Sequence, residues 1–361
     1  MKAQLGGLAR RATTLTELIN KGHTVLHFDA GDAFFPRYDV RKEERKAVED
    51  MATLYIRSFN LMKLAAYTVG DRDLVVGIPL LKKLEKKASF PFLSANVRNE
   101  NGTPVFTPSI LIKKAGLSIG VIGATTALMV NGQVVRETYK IDIKPPANAV
   151  RDEAAKLKKQ GAQLLILLSH LNATELAAVA KLVPDIHIVL GGQDMRMEHS
   201  LKRVGNAFAG NGFMKGKYVS VMDLFIRNES LAFVDRNARS SLENRKRALE
   251  GQVRSRERSL DLTKKQPNAK NRVEIIERMI VQAKSELQEV EMDLEEVQDP
   301  DPNASHLRRT VTPLNKTIAD EPTCAKWVAA YRKIHPDPKR KRRAPSPKKA
   351  SKRPAQPVPR R

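Results

Sequence analysis

Cysteine is nearly absent from this chain: Cys324 is the one residue of its type among 361. No intrachain disulfide can form, and no thiolate metal cluster can be built. Long apolar runs are missing as well, since none approaches the ~18 residues that a membrane-spanning helix requires. The first residues hold no apolar core of signal-peptide length, so the chain as written reads as a cytoplasmic protein with no transmembrane segment. Beyond Asp337 acidic residues stop altogether, and so do aromatics. Lys339 to Arg361 carries eleven Lys and Arg, nearly half of the formal net charge of +24, with Pro345, Pro347, Pro354, Pro357 and Pro359 interspersed. Too little apolar surface remains there to offset chain entropy, so residues 336–361 are expected to form a disordered basic tail. Such a tail binds nonspecifically to polyanions by charge, and without aromatics or a nucleic-acid motif it has no means of sequence-specific readout.

The whole chain is 41% hydrophobic, enough for one substantial core with accessory segments or for two small domains. Helix and strand patterns alternate through the first two-thirds. Val25 to Phe28, Ala65 to Val69, Leu164 to Leu168 and Ile186 to Leu190 are continuous apolar runs of strand length. Arg41 to Phe59, Ile78 to Lys87, Asn148 to Gln160 and Thr174 to Leu182 have helical spacing. Apolar strands between helices imply an α/β fold whose sheet is covered on both faces. From about Ser240 the pattern becomes a heptad. Ile276, Ile280, Ala283, Leu287, Val290, Leu294 and Val297 step by four and three, and Leu242, Leu249, Val253 and Leu260 form an earlier stripe. Pro267 separates the two, which predicts a helical hairpin folded back there; an intermolecular coiled coil, and with it self-association, is the competing arrangement. An extended run, Leu307 to Ile318, and a short helix, Thr323 to Tyr331, follow.

Four strand-to-loop junctions carry polar, metal-capable side chains: Asp29-Ala30-Gly31-Asp32, Gly70-Asp71-Arg72-Asp73, Ser169-His170 and Gly191-Gly192-Gln193. Ligands collect at such strand ends in α/β sheets. The series resembles the catalytic domain of the 5′-nucleotidase branch of the calcineurin-like metallophosphoesterases over roughly residues 5 to 230. That family shows Asp-x-His, Gly-Asp, Gly-Asn-His-Glu, Ser-His and Gly-Gly-His-x-His in order. Gly31-Asp32 and Ser169-His170 match it intact, whereas Gly70-Asp71-Arg72-Asp73 and Gly191-Gly192-Gln193-Asp194-Met195 keep the glycine frames and lose the histidines. No Asp-x-His precedes Gly6-Gly7-Leu8-Ala9-Arg10, the segment similar to the one that follows it in the family.

The resemblance implies a metallophosphoesterase-like α/β sandwich, sheets flanked by helices, and two-metal phosphate-ester hydrolysis. It makes Asp32, Asp71, His170 and Gln193 the candidate metal ligands, for a weakly held Mn, Mg or Zn. Arg72 stands where the family has its general-acid histidine, and Val75 where the Asp that orients it would be. An arginine cannot act as a general acid at pH 7 but can hold a phosphate. Each residue also has a structural reading: an Asx turn for Asp32, a capping Asp71, a hydrogen-bonded structural His170. His23, His27, His187 and His199 match no motif and read as surface, strand-face or loop residues. Expected boundaries are a phosphoesterase-like domain over 1–236, N-terminally truncated, a helical hairpin over 237–299, an extended and helical segment over 300–335, and the tail. If the natural N-terminus lies upstream of Met1, the missing strand and an export signal to the periplasm or exterior could lie there too. Three functions remain: a phosphoesterase with an incomplete site and impaired hydrolysis, a non-catalytic scaffold binding anionic ligands and partners through its cleft, hairpin and tail, or an assembly module in which the hairpin is the functional part and the α/β domain its platform.

Overall fold

The computed structural model describes residues 5–336 except 36, 39, 128–138, 192–200, 213–215, 228–230, 268, 298–300 and 302. The expected basic tail, Gln193 and His199 therefore lie outside the described residues.

A six-stranded sheet, in the order β10-β11-β9-β8-β6-β5, forms the centre. It comprises β5 (Ser109–Lys114), β6 (Leu117–Thr125), β8 (Leu164–His170), β9 (Ile188–Gly191), β10 (Lys202–Val204) and β11 (Ala207–Gly210). β6, β8, β9 and β11 run parallel, and antiparallel β5 and β10 close the edges. β8 is buried along its whole length, which is why it reads as an unbroken apolar run. Its alternate residues serve two cores. Leu165 and Leu167 face α5 (Pro146–Lys159) and α6 (Ala173–Leu182), packing with Leu157, Leu176 and Val179. Leu164, Ile166 and Leu168 face the other way, toward Phe233, Leu307, Ala66 and Leu93.

That second face differs from the helical cover a buried strand run suggests. It is covered by strands: β1 (His27–Asp29), β2 (Leu64–Thr68) and β3 (Phe92–Leu93) form a parallel sheet, and β12 (Tyr218–Phe225), β13 (Val234–Asp235) and β14 (His306–Pro313) form another. A third core lies beneath the first of these. Phe34, Phe35, Phe59, Tyr67 and Phe92 are fully buried there, and Phe34 stacks on Tyr67 with ring centroids 4.4 Å apart. The scarce aromatics are thus concentrated against α2 (Arg45–Leu61) and α4 (Ile78–Glu85). Two hydroxyls bind the layers together: Thr68 Oγ1 donates to the Leu168 carbonyl at 3.2 Å, and Thr125 Oγ1 to the Val69 carbonyl at 2.7 Å.

The heptad stripes fold back on each other. α7 (Ala238–Lys264) and α8 (Lys270–Glu296) pack chiefly together, burying Leu249, Val253, Ile280, Ala283 and Val290, with the turn at Pro267. Lys246–Glu291, Glu257–Lys284 and Lys264–Glu277 pair across the helices and fix them antiparallel. The hairpin stands between β13 and β14, so the chain returns from it into the same sheet. α9 (Pro322–Ile334) then packs on α1 (Leu8–Asn20) and α2, with the Arg57 guanidinium over the Trp327 ring at 4.3 Å. No helix among the described residues is long and apolar enough to cross a membrane.

β1 is an edge strand pairing with β2. Arg11 of α1 secures it, donating to Asp29 Oδ2 at 2.9 Å and to His27 Nε2 at 2.7 Å. An arginine can only donate, so His27 Nε2 accepts and the ring is neutral. Burial and then the Arg11 charge hold the His27 pKa well below 6.5. A base whose folded pKa is depressed takes its proton first in the unfolded chain, so stability falls as pH drops below about 6.5, with a slope approaching 1.4 kcal/mol per pH unit. Urea unfolding at pH 7 and pH 5.5 should show this loss, and His27→Asn should remove that part of it. Equal pH dependence in the two proteins would show that His27 does not contribute.

Candidate metal centre

Three strand ends converge. The loop after β1 carries Asp32, the turn after β2 carries Asp71 and Arg72, and β8 ends in His170. Glycines let the loops meet backbone to backbone. Gly31 has φ +98°, and a Cβ there would lie 2.8 Å from the Thr68 carbonyl oxygen and the Gly70 nitrogen; a Cβ on Gly70 would strike the Asp32 carboxylate. Asp32 itself has φ +60°, a left-handed conformation that Asp tolerates better than most residues.

His170 Nε2 lies 3.0 Å from Asp71 Oδ1 and 3.3 Å from Asp32 Oδ2, and its Nδ1 is 2.8 Å from the Ala30 carbonyl, which fixes the ring. One donor atom from each of Asp32, Asp71 and His170 falls within 4.8 Å of the others, the sole such metal-capable group among the described residues. Two carboxylate oxygens and an imidazole nitrogen suit Mn²⁺, Mg²⁺ or Zn²⁺. The donor set therefore fits one divalent cation. Its approach is contested by Arg72, whose Nε donates to Asp32 Oδ2 at 2.6 Å while its backbone N–H donates to Oδ1 at 3.0 Å.

Electrostatics follow from this crowding. Burial would lower the His170 pKa, but hydrogen bonds to Asp32 and Asp71 outweigh it and raise it to about 10. Burial would likewise raise the Asp32 carboxyl, and the His170 hydrogen bond with the His170 and Arg72 charges brings it below its ordinary value. In the absence of metal the pair is a salt bridge. Cation binding would require His170 to give up its proton.

Sequence reasoning missed two members of the site. Tyr38, in the loop beyond Phe35, donates its hydroxyl to Asp71 Oδ2 at 2.8 Å; burial and then that hydrogen bond raise its pKa to about 12. No spacing signal marks it. Asp73 falls inside the Gly70-Asp71-Arg72-Asp73 frame, yet its role comes from burial: Oδ2 accepts from Tyr67 Oη at 2.6 Å, Gly70 N at 2.9 Å and Asp32 N at 3.0 Å. It is the tie between the two loops. Burial and the Asp32 charge push its pKa up to about 7 against those hydrogen bonds. Among the other histidines, His23 is exposed, and His187 Nδ1 accepts from Leu165 N at 3.1 Å. His27 is the buried strand-face residue described above.

No family model matches the chain. Snake venom 5′-nucleotidase of Crotalus adamanteus is 30% identical over 200 residues, covering 52% of this chain and 31% of that protein. The probable 5′-nucleotidase of Treponema pallidum is 27% identical over 221 residues, covering 57% of this chain and 34% of that protein. Among solved structures, a 5′-nucleotidase precursor from Thermus thermophilus superposes with a TM-score of 0.59 at 15% identity, over 92% of this chain and 54% of that one. The sulfate thiohydrolase SoxB of the same organism, in complex with glycerol, gives 0.60 at 15% identity over 92% and 47%. The mixed α/β fold of this chain is the one these two solved structures share. Over about half its length the chain is similar in sequence to proteins named 5′-nucleotidase, and over 45% of it to the trifunctional nucleotide phosphoesterase YfkN of Bacillus subtilis. It spans about a third of the length of the snake venom relatives it matches.

If Asp73 is the tie between the loops, Asp73→Ala should destabilise the protein by about 2–4 kcal/mol through the lost acceptor of three bonds. Asp73→Asn, which keeps one acceptor oxygen, should cost less than half as much. Denaturant unfolding measures both, and a loss below about 1 kcal/mol in the alanine variant would remove Asp73 from this role.

Proposed function

We propose that this chain is a 5′-nucleotidase-like phosphoesterase domain with a one-cation centre, in which hydrolysis of phosphate monoesters is impaired. The observation that carries this reading is the convergence of Asp32, Asp71 and His170 into a single three-donor group with Arg72, an arginine, beside it. Asp32, Asp71 and His170 would hold the cation; Gln193, outside the described residues, is a fourth candidate. A bound divalent cation would supply Lewis-acid polarisation of a phosphoryl oxygen and a water acidified toward neutral pH.

The chain's own residues do the rest. Tyr38 and the Ala30 carbonyl orient Asp71 and His170 through the bonds given above. Arg72, with a third of its side chain exposed, can meet an anionic phosphate at the mouth of the site. It cannot protonate a leaving oxygen, because its proton stays bound at any physiological pH. General acid assistance contributes about 10²–10⁴-fold in hydrolytic enzymes, so its loss should slow turnover by that order. A nucleotide or another phosphate ester is the ligand class this reading assigns.

Purified protein with Mn²⁺ or Mg²⁺ and AMP or an aryl phosphate should show hydrolysis no faster than just above background, with any excess lost in Asp32→Ala and His170→Ala, and at most one cation per chain by metal analysis. Rapid turnover with two cations per chain would overturn this reading. Turnover absent together with phosphate-ester binding would favour the non-catalytic scaffold, in which the same cleft holds an anion without cleaving it.

The basic tail gives this chain a second binding property in our reading. Eleven Lys and Arg without one acid lie between Lys339 and Arg361. Binding to heparin or DNA should fall steeply with salt, and removal of residues 338–361 should abolish most of it and flatten the salt slope. Undiminished binding by the shortened chain would place the polyanion surface elsewhere.

A further inference from the structure

The Asp32 carboxylate is engaged from two sides. Its Oδ1 accepts the Arg72 backbone N–H at 3.0 Å and its Oδ2 accepts Arg72 Nε at 2.6 Å, while His170 Nε2 stands 3.3 Å from the same Oδ2. The oxygen that a cation would need is thus covered by a guanidinium. Asp32 retains only 6% of its side-chain exposure, and Arg72 closes it from the solvent side with 33% of its own.

We infer that Arg72 is a tethered cation that takes the place of a metal on Asp32 and keeps the Asp32–Asp71–His170 centre in a low-affinity state. This rests on the proposed one-cation centre and names what limits it. A divalent ion must displace the Arg72 side chain from Oδ2 and then tolerate a positive charge held beside it by the backbone. Both requirements weaken binding. The affinity of the centre is therefore set by the residue at position 72 rather than by the number of ligands alone. Since the bond to Oδ1 comes from the backbone N–H, which every residue but proline supplies, the Asp32 loop keeps one of its two ties to residue 72 when the side chain is changed to Met or Lys.

Arg72→Met removes the charge at similar length, and Arg72→Lys keeps the charge. Calorimetric titration with Mn²⁺ should show Arg72→Met binding roughly tenfold tighter or more than the unsubstituted chain, because a close like charge has gone. Arg72→Lys should stay within about threefold of the unsubstituted chain, and Arg72→Met combined with Asp32→Asn should lose the gain. An Arg72→Met chain with an unchanged thermal melt and no gain in affinity overturns the inference, and so does an equal gain in Arg72→Lys. Should Arg72→Met fail to fold, the unsubstituted chain labelled with ¹⁵N-arginine provides the test. Saturating Zn²⁺ should move the protected Arg72 Nε–H signal, identified by its absence from Arg72→Lys; Zn²⁺ bound with that signal unmoved overturns the inference. These outcomes are separable from those of the proposed function: fast hydrolysis of AMP by the unsubstituted chain defeats that reading, whereas equal Mn²⁺ affinity with and without Arg72 defeats only the role of Arg72.

Discussion

One buried carboxyl organises the site. Asp73 Oδ2 gathers the amides of Gly70 and Asp32 and the hydroxyl of Tyr67, and the Tyr67 oxygen in turn accepts from the Ala33 amide. Every one of these partners is on a loop or strand end that would otherwise leave polar backbone groups unsatisfied inside the protein. The second oxygen, Oδ1, is buried with no partner among the described residues, which is costly for a charged carboxylate and much less so for a protonated acid. Burial, with the Asp32 charge beside it, pushes the pKa up to about 7. Through this arrangement the aromatic core under β2 is mechanically continuous with the loop that presents Asp32, so the position of the candidate ligand is set by packing several residues away.

Asp71, Arg72 and Asp73 share three consecutive positions and have three different fates. Asp71 points to His170 and Tyr38, Arg72 to Asp32, and Asp73 down into the core. The short helical turn at Asp71–Leu74 makes this divergence possible, because successive side chains there are rotated about 100° apart. A strand end at the same place would have sent alternate side chains to opposite faces and could not have aimed three neighbours at a cleft, a loop and a core.

Much of this is legible in the residues alone. The apolar runs mark β2, β8 and β9 within one or two residues, and the heptad with Pro267 marks both long helices and their turn. Asp32, Asp71 and His170, chosen from motif positions, do come together. What escapes is non-local. Nothing in the run Leu164 to Leu168 says that one of its faces meets helices and the other meets sheets, since both bury the same apolar side chains. Tyr38 reaches Asp71 across 33 positions from an irregular loop, where no periodicity operates. The pairing of Arg72 with Asp32 requires knowing that the ends of β1 and β2 are adjacent, a matter of parallel strand order rather than of either segment alone.

The placement of the helical hairpin bears on how the chain tolerates changes in length. Its two ends meet at the sheet: Arg239 at the start of α7 donates to the Val297 carbonyl just after α8, and β13 and β14 on either side are paired neighbours. Each helix of 27 residues is about 40 Å long. Because the two run antiparallel, a heptad added to one and a heptad added to the other lengthen the arm without shifting either end. The sheet would register no change. An insertion in one helix alone would break the facing stripe and leave apolar residues without partners. Length variation at this point of the fold is therefore expected in matched pairs, and it is free to drift there while the loops around Asp32 and Asp71, held backbone to backbone, admit no added residue.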